Sequence, residues 1–392
     1  MPQSTSRDLR RLGTILLLGV VAGAGVRYIA SRAASAPGTP AGLIDWNQAR
    51  RVALRVSQWE QAPITDRAAR QAQYVRLVER SEPLIAEYIG QPLPEPIKRV
   101  HVYDRREWLE ANFASFAVVF QPIEEMYADV STRQGALGSA VGQLNGQLVG
   151  AQMGVLLGFL ARRVLGQYDL SLLSPDPTLR GALYFVEPNI GRVQQQLGLA
   201  DEDFRLWIAL HEATHVFEFE AFPWVRVYFN ELLRQFLGQM TDQLSSLGVT
   251  LPRMLDRVLR GDTGGKHWIE LMLTPDQQQV FDKIQALMSL VEGYSNHIMN
   301  AIGGELLPSF HMIEERVKAR QVNRPILEEL FNRITGMDLK LAQYQQGEAF
   351  VNTVVAARGV RFVNRVWERP DNLPTMAEIR SPEQWIARID RM

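Results

Sequence analysis

After residue 45, most of the chain has the pattern of apolar and polar residues that is typical of helices. Asp45 is a predicted N-cap for a helix over 46–58, and a second helix is predicted over 66–89. The segment Arg99–Tyr103 alternates and is rich in strand-forming residues, which predicts a short strand. Asp104 then predicts the start of another helix.

Glycine recurs at every fourth position over one stretch of the chain, at 138, 142, 146, 150, 154 and 158. On a helix this spacing creates one nearly continuous face of small residues. We interpret it as a core helix on which another backbone packs closely. The alternative is a membrane-active glycine zipper, and the polar Gln143, Asn145, Gln147 and Gln152 argue against it.

The second half of the chain is also predicted to be largely helical. Leu183–Val186 is a candidate strand that Pro188 should end. The predicted fold class is therefore mainly α with a few short β-strands. No domain boundary is marked after residue 45, so one helical domain is predicted over 41–392.

The N-terminus has a basic start followed by the uncharged apolar run 12–26. Residues 1–40 are predicted to form a membrane anchor near 12–29 plus a linker rich in proline and alanine, with the body outside the cytoplasm. A cleaved secretory signal and a plain soluble helix are the alternatives. In the last case the protein would be cytoplasmic.

Composition narrows the chemistry that is available to the chain. Its 42 basic and 43 acidic residues give a net charge of -1, which argues against a dedicated nucleic-acid binder. It has no cysteine, which excludes disulfides, thiolate catalysis and cysteine-based zinc sites. Any metal must be held by His, Asp or Glu, and there are only six histidines.

Residues 211–215 read His-Glu-Ala-Thr-His, the motif HExxH. On a helix, His211 and His215 lie one turn apart on one face, so both imidazoles can reach one zinc ion. Glu212 would then lie beside the metal as the catalytic general base. The alternative is two ordinary surface histidines on an amphipathic helix.

A zinc site needs a third protein ligand. Glu218 follows His215 on the same face, but it is too far along a straight helix from His211 for one ion. We therefore predict Glu292, on a helix that begins at Thr274 with a capping box and ends near 303–304. The alternative for Glu292 is a buried carboxylate paired with an arginine.

Other polar residues near Glu292 are candidates for supporting roles. Asn296 shares a face with Glu292 and could orient a ligand, and His297 is the second candidate for the third ligand. Tyr294 and His297 could also stabilise the transition state. His311 and Arg316 are further candidates, and nothing in the sequence favours one of them over the others.

The sequence resembles a bacterial family of zincin-like, zinc-dependent hydrolases. The resemblance spans about 45–390 and rests on Ile44–Trp46, Leu165–Asp169, Phe185–Asn189, Phe222–Arg226, Val291–Gly293, Gln343–Phe350 and Trp367–Pro374. It implies a mostly helical zincin-like body with His211, Glu212 and His215 in the roles given above. Some family members are associated with biosynthesis of the deazaflavin coenzyme F-420.

The sequence thus predicts a zinc metallohydrolase, most simply a peptidase acting on a peptide or protein, with no nucleic-acid partner. One alternative is a non-catalytic scaffold that retains a zinc site. Another is a membrane-tethered amide hydrolase linked to coenzyme metabolism. A catalytic zinc site leaves one position open to water, whereas a structural site is closed by a fourth protein ligand.

Overall fold

The computed structural model describes residues 42–133, 135–169, 181–243, 273–322 and 337–392. The helices are α1 (Trp46–Ser57), α2 (Arg67–Ile89), α3 (Arg105–Arg133), α4 (Gly135–Ala161), α5 (Glu187–Leu197), α6 (Asp201–Val216), α7 (Pro223–Gln243), α8 (Pro275–Leu306), α9 (Phe310–Val322), α10 (Met337–Arg358), α11 (Val360–Val363), α12 (Met376–Arg380) and α13 (Pro382–Asp390). The strands are β1 (Val100–Tyr103), β2 (Gly166–Asp169) and β3 (Ala182–Val186).

The first of two compact units contains residues 42–61 and 105–163, with α1 packed along the glycine face of α4. A Cβ atom added to Gly150 would overlap the carbonyl oxygen of Asp45, so only glycine permits this approach. The backbone N–H of Asp45 donates to the carbonyl oxygen of Gly146 at 2.9 Å. The predicted close packing on a small-residue face is confirmed.

The second unit contains residues 62–104 and 164–392 and includes the sheet, whose order is β1-β3-β2. β1 runs parallel to β3, and β2 runs antiparallel to it with Gly166 opposite Phe185 and Tyr168 opposite Leu183. Because opposed residues share a face, these four side-chain positions lie on one face of the sheet.

Helix α6 lies at the centre of the second unit, in contact with α2, β2 and α8. Its start is held by an ionic network in which the buried Arg205 pairs with the buried Glu187 and with the half-exposed Asp201. Glu187 also accepts a hydrogen bond from the Tyr74 hydroxyl at 2.8 Å. Because every charge in this network has a partner, burial of the network is tolerated and the position of α6 is fixed.

Several predicted element boundaries are confirmed. Asp45 caps α1 by accepting a hydrogen bond from the backbone N–H of Gln48, and Thr274 forms a capping box at the start of α8. The strand at 183–186 is also present, but Pro188 lies in the first turn of α5 rather than in a loop. Proline suits that position because the first N–H groups of a helix need no helical partner.

The mainly α fold with a small sheet is confirmed. Among the described residues, no helix is both long and apolar enough to cross a membrane. The predicted anchor near 12–29 lies outside the described residues. The prediction of a single domain over 41–392 stays a prediction.

Candidate metal centre

The HExxH motif lies in the last turns of α6, where His211 and His215 are one turn apart. Their Nε2 atoms are 3.3 Å from each other, and the two rings are nearly perpendicular. Helical spacing thus directs both ring nitrogens toward one point, as the motif predicts.

Helix α8 brings Glu292 to the same point. Its Oε2 atom lies 3.9 Å from Nε2 of His211, and one donor atom from each of His211, His215 and Glu292 lies within 4.8 Å of the others. Within the described ranges, this is the only group of three or more His, Asp and Glu residues with such spacing. The structure therefore brings together the three residues that the sequence predicts as ligands.

The three donors fit a zinc ion. Two ligands at about 2.1 Å from one tetrahedral ion lie about 3.4 Å apart, close to the 3.3 Å and 3.9 Å found here. Two imidazoles and a carboxylate are a donor set that zinc accepts. The side chains of His211 and Glu292 are 22% and 21% exposed, so solvent reaches the cluster. Among the described residues no fourth His, Asp or Glu joins this group, so an ion bound here would have room for a water molecule.

The outer nitrogen of each imidazole has a partner. Nδ1 of His211 lies 2.9 Å from the Ser295 hydroxyl, and Nδ1 of His215 lies 2.7 Å from the carboxylate of Glu218. Such partners fix ring orientation and leave Nε2 for the metal. Neither contact was predicted from the sequence, where Glu218 was evaluated only as a direct ligand.

Glu218 follows His215 by three residues and lies in the π-helical turn Phe217–Ala221 that continues α6. Wide turns of this kind often occur at functional sites. The side chain of Glu218 is fully buried, and its Oε1 atom has no hydrogen-bond partner among the described residues. A carboxylate three residues after the second histidine was the sequence signal that could have identified this partner.

Glu212 lies against β2. A Cβ atom added to Gly166 would come within 2.5 Å of the Glu212 carboxyl group, so glycine leaves the space that this side chain occupies. Glu212 also accepts a hydrogen bond from the backbone N–H of Tyr168. These two contacts hold the carboxylate beside the donor cluster, where a general base is expected.

Burial and close neighbours shift the pKa values of the residues in the cluster. Burial raises the pKa of Glu212 to about 7, and the neighbouring Glu292 adds to this. Burial lowers the pKa of His211 to about 3. Burial opposes protonation of His215 as well, but the carboxylate of Glu218 outweighs it and raises the pKa of His215 to about 9. Burial and Glu292 thus oppose ionisation of Glu212, and a bound cation would offset both effects.

A second polar cluster anchors Tyr168 from its other end. The Tyr168 hydroxyl donates to Glu220 at 2.6 Å, and Arg226 donates to Glu220 at 2.7 Å and to the Tyr168 oxygen at 3.0 Å. The backbone N–H of Gly181 also donates to Glu220, at 3.1 Å. β2 is thereby tied to the segment that follows α6.

The other predicted site residues lie elsewhere or have other partners. Nδ1 of His297 donates to Asn352 and its Nε2 accepts from the Tyr88 hydroxyl, at 2.6 Å and 2.7 Å, so neither nitrogen is directed at the cluster. The hydroxyl of Tyr294 donates to Asn364 at 2.6 Å. Ser295 rather than Asn296 contacts His211.

The two remaining candidates, Arg316 and His311, make their contacts with residues outside the cluster. Arg316 donates to the carbonyl oxygens of Leu197 and Gly198 at the end of α5. The ring of His311 packs edge-on against Phe310. Neither residue joins the group of donor atoms around Glu292.

Comparison with known proteins agrees with this geometry. A crystal structure of a proposed hydrolase with a novel fold from Chloroflexus aurantiacus is 57% identical, with a TM-score of 0.67, over 89% of this chain and 99% of that one. No curated protein matches the chain. The family model described as zincin-like metallopeptidase matches residues 44–386. The chain therefore belongs to the zincin-like metallopeptidase family.

Proposed function

We propose that this protein is a zinc-dependent hydrolase that cleaves peptide bonds, with Glu212 as the general base. The observation that carries the proposal is the convergence of donor atoms from His211, His215 and Glu292, with the Glu212 carboxylate held alongside. Membership of the zincin-like metallopeptidase family supports it.

Each residue of the cluster has a separate task. His211, His215 and Glu292 would hold the ion, and Ser295 and Glu218 keep the two imidazoles oriented. Zinc at this position would supply a Lewis acid for the substrate carbonyl and lower the pKa of water.

Glu212 performs the proton transfers. Its carboxylate takes a proton from the attacking water and passes it to the amine that leaves when the C–N bond breaks. The N–H of Tyr168 and the space above Gly166 fix the carboxylate in one orientation, so little reorganisation is needed for the transfer.

β2 is an edge strand of the sheet, and this position favours a substrate that binds in an extended conformation. The N–H of Val186 donates to the carbonyl oxygen of Leu165, and hydrogen-bonded pairs alternate along an antiparallel ladder. Gly166 and Tyr168 therefore direct their backbone groups away from β3, on the side of Glu212. The N–H of Tyr168 already donates to Glu212, and an extended peptide could pair with the other backbone groups of this edge.

The test uses the zinc-loaded full-length chain and a library of unstructured peptides, with products identified by mass spectrometry. Wild type should cleave peptides, and Glu212→Gln should lose at least about a thousandfold in rate while keeping its zinc. Glu202→Gln, at an exposed position on the same helix, is the matched control and should match wild type. Equal cleavage by Glu212→Gln would refute the assigned base, and no cleavage by wild type would refute the peptidase proposal.

A further inference from the structure

A cavity of about 150 Å³ lies in the second unit, one helical turn beyond Glu212. Its walls are mainly apolar and come from the segment before β1, from β2 and β3, and from the residues after the HExxH motif. The residues that line it include Pro96, Ile97, Tyr168, Leu183, Val216 and Glu220.

Tyr168 connects the cavity to the reaction centre. Its backbone N–H donates to Glu212, and its side chain lines the cavity. Val216 follows Glu212 by four residues, which places it on the same face of α6 about 6 Å farther along the axis. An extended chain advances about 3.4 Å per residue, so the cavity lies within two substrate residues of the bond beside Glu212.

Four charged residues also line the cavity, Glu95, Lys98, Arg99 and Glu220, and Glu220 is held in place by its neighbours. Oε1 of Glu220 accepts hydrogen bonds from the Tyr168 hydroxyl, the Arg226 guanidinium and the Gly181 N–H. Arg226 pairs with Glu220, and most of the wall area of the cavity is apolar, so an apolar group fits it better than a charged one. A cavity of about 150 Å³ with apolar walls is large enough for one benzene ring.

We propose that this cavity binds one apolar side chain of the peptide substrate, of leucine or phenylalanine size, within two residues of the scissile bond. The inference rests on the proposed function, because it assigns selectivity to the same site. The peptidase should therefore favour substrates with a large apolar residue at one position next to the cleaved bond.

Ile97 is the most suitable position for a substitution that fills the cavity. Its side chain lines the cavity from a loop, while its backbone N–H donates to Glu82 at 3.0 Å and would still do so after substitution. Ile97→Phe should fill the cavity. Leu93→Phe introduces the same ring in the same loop at a half-buried position outside the cavity, and it is the matched control.

The first measurement does not depend on catalysis. N-acetyl-leucinamide and N-acetyl-glycinamide are titrated into the zinc-loaded protein while the methyl resonances of Ile97, Leu183 and Val216 are followed by NMR. The leucine compound should shift all three methyl groups and the glycine compound should not. Identical responses to the two compounds, or none to either, would overturn the inference.

The second measurement compares cleavage of peptides that differ only as Leu or Ala at each position around the cleaved bond. In wild type, kcat/KM should favour Leu over Ala at one position, and Ile97→Phe should reduce this ratio at least about tenfold. Leu93→Phe should leave the ratio unchanged. Cleavage with an unaltered ratio in Ile97→Phe would overturn the inference and leave the peptidase proposal standing. Methyl shifts with no cleavage would support the cavity assignment and overturn the peptidase proposal.

Discussion

The carboxylate of Glu218 lies 2.7 Å from Nδ1 of His215, on the side of the ring opposite the metal-facing nitrogen. Helix α6 ends one residue after His215, and Glu218 lies in the π-helical turn that follows, three residues from the histidine. The contact orients the His215 ring. Its contribution to metal binding is measurable.

Glu218→Gln should weaken zinc binding by about 10- to 100-fold, because the ring loses its anionic partner. A competition titration with a zinc chelator measures the affinity. Glu231→Gln, at an exposed position on α7, should bind zinc as wild type does. Wild-type affinity in Glu218→Gln, with a fold retained by circular dichroism, would show that this contact does not support the metal.

Ser295→Ala should weaken zinc binding by a smaller factor, about fivefold, because the hydrogen bond to His211 is between neutral groups. Ser289→Ala is the matched control on the same helix. Ser289 is also fully buried, and its hydroxyl has no hydrogen-bond partner among the described residues. The same titration applies, and equal affinities in the two variants would contradict the assigned role of Ser295.

Gly347→Ala should destabilise the protein by about 1–3 kcal/mol, because the added Cβ would overlap the carbonyl oxygen of Ser289 where α10 crosses α8. This crossing lies beside Glu292, so zinc affinity should fall as well. Gly304→Ala, near the end of α8, has nothing within 4 Å of the added Cβ. Its stability should match or exceed wild type, because alanine favours helix over glycine.

Denaturant unfolding of both variants measures the difference. Equal stabilities for Gly347→Ala and wild type would contradict the close crossing of the two helices.

Glu378→Gln should destabilise the C-terminal region near neutral pH and have no effect in acid. Burial opposes ionisation of Glu378, but hydrogen bonds from Arg388 and from the Thr375 backbone outweigh it and hold the pKa below its usual range. A carboxyl group with a lowered pKa in the folded state stabilises the protein above its unfolded pKa. That contribution disappears as the pH falls through the folded pKa.

Wild type should therefore be more stable than Glu378→Gln by about 1–3 kcal/mol above about pH 5, and the two should converge as the pH falls through the lowered pKa of Glu378. The free energy of unfolding in urea, measured across this range, tests the expectation. Glu383→Gln, exposed on α13, is the control. A difference that does not change with pH would contradict the ionic role of Glu378.

The sequence predicted the parts of this site that depend on local spacing. The separation of His211 and His215 places them one helical turn apart in any helix, and the capping box at Thr274 showed where the helix carrying Glu292 begins. The start of α6 has no side-chain cap, and the Asp201 carboxylate pairs with Arg70 and Arg205 instead.

The parts that depend on tertiary contacts were not predictable in this way. Gly166 and Tyr168 are more than forty residues from Glu212 in sequence, and only the packing of β2 against α6 brings them together. The contact between Ser295 and His211 depends on how α8 is rotated about its axis. The close packing of Gly293 against Gly347 determines that rotation. His297 was a plausible ligand by composition, but Asn352 and Tyr88 already occupy both of its ring nitrogens.

The central claim is that His211, His215 and Glu292 hold one zinc ion, with Glu212 beside it as the base. The most direct test is a chelator competition titration on wild type, His215→Ala, Glu292→Gln, Glu212→Gln and His297→Ala, with zinc content measured in each. Wild type should bind about one zinc per chain. His215→Ala and Glu292→Gln should lose at least about tenfold in affinity, while Glu212→Gln and His297→Ala should bind as wild type. Wild-type affinity in Glu292→Gln together with loss of zinc in His297→Ala would contradict the account.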